Sequence, residues 1–119
     1  MSSFQQNKEY YDYVFGVVRN LIEYREYKNN IQGALESIKQ NFPAVSYKDN
    51  ETAFKNVFEV YLKTVDLLKK KENKIKEYRD ANKLDVLIES ELNTYKKIDL
   101  PPETLKSILG YIFYYKFQS

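Results

Sequence analysis

Between Glu51 and about Asp80, apolar residues recur at helical spacing: Phe54, Val57, Phe58, Tyr61, Val65, Leu68, Ile75 and then Tyr78 or Arg79. Steps of three and four residues line up on one face of a helix, whereas a strand alternates every second residue. The same period governs the rest of the chain. Only three glycines and three prolines occur in 119 residues, which favours helix over a turn-rich β fold. The expected fold is all-α, a single-domain bundle of about five helices across 1–119, which is the length of an ordinary single domain.

The expected helices run over 3–28, 31–41, 51–80, 83–96 and 102–117. In the first, Phe4, Tyr11, Val14, Phe15, Val18, Leu21 and Ile22 form one apolar stripe. Tyr10, Tyr13, Val17, Tyr24 and Tyr27 form a second beside it. Such a helix is either central or presents an aromatic flank to a partner. Ser2 or Ser3 can cap it, and Asn29-Asn30 is a plausible break after it. Ile31, Ala34, Leu35, Ile38 and Phe42 mark the buried side of the second helix, which Pro43 ends. Asp49 or Asn50 is expected to cap the third.

The stripe changes phase near Ala81-Asn82-Lys83, where Leu84, Leu87, Ile88, Leu92 and Tyr95 take over. A turn or kink at 80–83 resolves this, with Asp80 or Asn82 as cap. Pro101-Pro102-Glu103 opens the last helix, with proline where no N–H is needed. Leu105, Ile108, Leu109 and Ile112 form its core stripe. The stretch Tyr111-Ile112-Phe113-Tyr114-Tyr115-Lys116-Phe117 then carries apolar or aromatic groups on every face. Such a segment docks into a core or forms an interface.

The chain has no histidine and no cysteine. That removes Ser-His-Asp triads, cysteine nucleophiles, disulfides and His/Cys zinc sites. Gly16, Gly33 and Gly110 stand alone, so there is no phosphate-binding glycine loop. No cofactor or metal is expected. The N-terminus does not read as a signal peptide and no apolar run is long enough to span a membrane. A cytoplasmic, membrane-free protein is the expectation.

Two pairs of carboxylates, Glu23-x-x-Glu26 and Glu77-x-x-Asp80, each share a helical face. In these four residues the chain resembles the all-α nucleotide pyrophosphatases, whose paired Glu/Asp motifs lie on adjacent helices. The resemblance implies Mg²⁺ held around a pyrophosphate and a Mg-dependent pyrophosphohydrolase. The competing reading is solvated ion pairing with Arg19, Arg25, Lys28, Lys76 and Arg79. Net charge is +2, and the excess lies entirely in residues 51–80, with eight basic against six acidic residues. Lys69, Lys70, Lys71, Lys74 and Lys76 could contact phosphates, as in a nucleic-acid-binding helical module. Glu72 and Glu77 among them favour a solvated helix end, and nucleic acid is the less favoured partner.

Twelve residues are tyrosine. Tyrosine buries a large ring at low entropic cost and keeps a polar tip, which suits interfaces. The expected function is therefore non-catalytic protein binding, not an enzyme. A bacterial immunity or antitoxin-type protein that neutralises a cognate toxin falls within that class. The contact residues are taken to be Tyr10, Tyr13, Tyr24 and Tyr27, or Tyr111, Tyr114 and Tyr115. Asp85 and Glu89, with Glu91 nearby, form the compact acidic face. The partner is another protein or a second copy, as in a homo-oligomeric structural protein.

Overall fold

The computed structural model describes residues 8–23, 30–95 and 97–116. Among them every regular element is helical. The order is α1 (Lys8–Glu23), α2 (Ile31–Asn41), α3 (Tyr47–Lys70), α4 (Glu72–Asp80), α5 (Leu84–Leu92), a 3₁₀ turn (Asn93–Tyr95), α6 (Pro102–Tyr111) and a π turn (Ile112–Lys116). The all-α class stands. The expected span 3–28 appears as α1, with its remaining residues, Ser3, Phe4, Tyr24 and Tyr27 among them, outside the described set, as is the alternative cap Ser2. Close contacts gather the chain into two units, residues 1–58 and 59–119, dividing inside α3.

In the first unit α1 packs on α2. From the two stripes of α1, Tyr10, Tyr11, Val14, Phe15, Val17, Val18 and Leu21 are buried, while Tyr13 and Ile22 are half-buried. Ala34, Leu35 and Ile38 of α2 and Ala53, Phe54 and Val57 of α3 are buried as well. Ile31, expected on the buried side of α2, is 50% exposed. It is the first residue of the helix, a turn short of Ala34. Asn30 caps α2, accepting from the N–H groups of Gln32 and Gly33. Phe42, held out of the helical region by Pro43, closes it with φ −134°.

The third helix begins at Tyr47, four residues before the expected start at residue 51. Ser46 is the reason: its Oγ accepts from the Asp49 N–H at 3.1 Å. Asn50 is not a cap but a fully buried residue. Its Oδ1 accepts from the Tyr10 hydroxyl at 2.6 Å. Its Nδ2 has no hydrogen-bond partner among the described residues. Tyr10→Phe therefore leaves a buried carboxamide with even less, and is expected to cost about 1–3 kcal/mol by urea denaturation.

The Tyr10 phenol also gives a pH signature. Burial, then the charges of Tyr11 and Asp49, push its pKa far above the ordinary 10.0. The folded state keeps the proton while an unfolded phenol loses it from about pH 10 upward. Stabilisation is thus full below pH 10 and declines above it. Tyr10→Phe should show a shallower alkaline decline than the parent chain.

In the second unit α4 packs on α5 and α5 on α6. Val60, Tyr61, Ile75, Leu84, Leu87, Tyr95, Ile108, Leu109, Ile112 and Phe113 are buried. The expected helix 51–80 is two helices, broken at Lys71. The residues at 80–83 form a turn. Asn82 takes φ 60°, its N–H reaches the Arg79 carbonyl, and the Lys83 N–H reaches the Tyr78 carbonyl at 2.7 Å. This is a Schellman closure of α4, with Asn82 in the left-handed position. Asn82 and Asp80 therefore end α4 rather than cap α5, whose cap residue Lys83 makes no side-chain bond. The expected helix 83–96 stays α-helical only to Leu92 before tightening into the 3₁₀ turn. The expected helix 102–117 is α-helical to Tyr111 and then widens.

Candidate partner-binding surface

Leu105, Ile108 and Leu109 bury one side of α6, and the backbone then opens into the π turn. π segments are rare, short and frequent at functional positions. Here the turn divides four consecutive side chains cleanly. Ile112 and Phe113 are fully buried, while Tyr114 is 42% and Tyr115 69% exposed. Tyr111 is half-buried, and its ring lies 5.7 Å from that of Tyr115 at 33°. An aromatic pair thus stands at the surface on a backbone anchored by its two neighbours.

The tyrosines of α1 are placed differently. Tyr10 is fully buried, edge-on to Phe42 at 5.2 Å. It is a core residue rather than part of an exposed face, packed away with Val17 of the same stripe. Tyr13 is half-buried. Its hydroxyl lies 2.7 Å from Ser37 Oγ and accepts from Asn41 Nδ2 at 2.8 Å. Tyr24 and Tyr27 lie outside the described residues.

Asp85 and Glu89 are exposed, one turn apart on α5. Lys106 of α6 bridges Glu89 at 2.7 Å, so that charge is partly met within the chain. Glu91 does not join this face: it is buried, 3.8 Å from Lys71. Val86, between the two exposed carboxylates, is more than half exposed. The sequence reading missed it because Val86 is out of phase with the Leu84, Leu87, Ile88 stripe, and that offset was the available signal.

The remaining candidates stay as surface chemistry. Lys69, Lys70, Lys71, Lys74 and Lys76 are exposed, with Lys70 paired to Asp66 at 3.0 Å. Glu77 and Asp80 are exposed, and Arg79 reaches Asp80 at 3.4 Å. Glu26 lies outside the described residues. Among those described, no group of three or more acidic side chains comes together to hold a metal ion. A mostly apolar depression of about 350 Å³ is lined by Leu92, Tyr95, Ile98, Leu100 and Leu105 among others. No helix among the described residues is long and apolar enough to cross a membrane.

Compared with known protein families, with characterised proteins and with solved structures, the chain matches none of them.

Proposed function

We propose that this chain is a non-catalytic protein-binding module whose contact surface is centred on Tyr114 and Tyr115, with Tyr111 behind them. The observation that carries this reading is the exposure of two adjacent tyrosine rings on a backbone pinned by the buried Ile112 and Phe113. Interfaces draw most of their energy from a few aromatic anchors, and an anchor already held in place loses little freedom on binding. Within this class we favour an immunity or antitoxin-type protein acting in the cytoplasm on a cognate toxin. The exposed Asp85, Val86 and Glu89 of α5 offer such a partner an apolar side chain flanked by carboxylates.

The test has two steps. Tagged protein is first used to capture its partner from the native lysate, and that partner is identified by mass spectrometry. Binding of the purified partner to the double variant Tyr114→Ser/Tyr115→Ser is then measured by calorimetry. The expected loss is at least tenfold in affinity with an unchanged circular dichroism spectrum, while Tyr47→Ser, on α3, binds as the parent does. Equal affinity of the double variant and the parent would refute this surface. Capture of a second copy alone, confirmed by size-exclusion chromatography, would move the reading to a homo-oligomer.

A further inference from the structure

The break at Lys71 has no helix-breaking residue to account for it. Residues 47–80 contain neither glycine nor proline, and Lys, Leu and Glu around the break are good helix formers. Helices that bend sharply almost always do so at proline, at Gly/Ser pairs, at a π-bulge or around an inserted group. Lys71 nevertheless takes φ −118°, ψ 33°, outside the helical region. The ladder is intact on both sides of it. The Lys71 N–H reaches the Leu67 carbonyl and the Ile75 N–H reaches the Lys71 carbonyl, each at 2.9 Å. Between those two bonds lie the amides of Glu72, Asn73 and Lys74, at a helix start where Lys71 provides no side-chain cap.

A tertiary cause is at hand within the same unit. The side chain of Glu91 on α5 is only 10% exposed. Its carboxylate lies 3.4 Å from Thr94 Oγ1, at the edge of hydrogen bonding. Its cationic neighbour is Lys71, at 3.8 Å. A carboxylate taken this far out of water is costly unless a cation accompanies it. α5 is fixed independently of Lys71, through the buried Leu84, Leu87 and Ile88 and the closed turn at Asn82. Lys71 must come to Glu91, because Glu91 is not free to come to Lys71.

We propose that the Lys71–Glu91 pair is a latch that keeps α3 and α4 as two helices, and that neutralising Glu91 lets residues 47–80 close into one. The junction is a two-state element biased by one charge pair. Latched, the amides of Glu72, Asn73 and Lys74 are open at the start of α4. Closed, they donate to the carbonyls of Leu68, Lys69 and Lys70 in the ordinary i to i−4 pattern.

Hydrogen exchange followed by NMR on the full chain tests this. In Glu91→Gln, which keeps shape and removes charge, protection at Glu72, Asn73 and Lys74 should rise at least tenfold. The Lys71 Cα shift should move to the helical range. Lys71→Gln, which removes the other half of the latch, should give the same rise and serves if Glu91→Gln does not fold. General destabilisation lowers protection and cannot imitate this result. Unchanged or faster exchange at those three amides in the folded variants overturns the latch. So does an equal rise in Lys70→Gln, whose lysine pairs with Asp66 instead.

Discussion

Replacing Phe113 with alanine is expected to lower the unfolding free energy by about 3–5 kcal/mol, the range for emptying a filled aromatic site. Replacing Tyr115, two residues along and mostly exposed, should cost about 1 kcal/mol or less, chiefly its ring contact with Tyr111. Phe113 has no exposed surface, so its removal loses both transfer energy and packing contacts. The contrast tests the arrangement on which the functional reading rests. Comparable costs for the two variants in urea titrations would mean that the segment is not divided into an anchor and a display.

Ile75→Ala is the second large effect, at about 2–5 kcal/mol. Ile75 is the one buried residue of α4, a helix of nine residues. A helix that short does not hold itself together in water, and its stability derives from packing. Loss of the isoleucine should therefore act locally as well as globally. Amides of residues 75–80 should exchange faster relative to those of α5 and α6. A cost below about 1 kcal/mol with α4 protection unchanged would show that the helix is held by something other than its single apolar contact.

The same isoleucine shows how far a linear reading reaches. Ile75 stands alone in a lysine-rich stretch; its spacing put it on the apolar stripe, but the stretch around it reads as a solvated helix end, and its burial corrects that reading. The helical class, the stop at Pro43 and the start at Pro102 were legible, because each follows from apolar spacing or from the fixed geometry of proline. The break at Lys71 was not legible, since its cause lies on another helix at Glu91. Asn50 passed as a cap because a polar residue beside a helix start usually is one; its burial depends on Tyr10, forty residues earlier. Glu91 looked like part of an acidic face because spacing cannot report which carboxylate points inward.

The candidate surface was legible only in part. Tyr111, Tyr114 and Tyr115 stood out by density, and Tyr114 and Tyr115 are exposed. Tyr10 stood out for the same reason and is core. Composition flags both kinds of tyrosine alike, and only their burial in the fold separates them.

The π turn carries one more consequence. Each of its hydrogen-bonded rings encloses an extra residue relative to an α-helix, so the side chains that follow lag in their rotation about the axis. Which of Ile112, Phe113, Tyr114 and Tyr115 faces inward is therefore a matter of backbone phase as well as of residue type. Substitutions at Tyr114 or Tyr115 alter what the surface offers while leaving its direction intact. Removing one residue between Gly110 and Tyr114 would restore ordinary winding and re-aim the whole set. On the proposed contact surface, point changes would vary the identity of its contacts and length changes their aim.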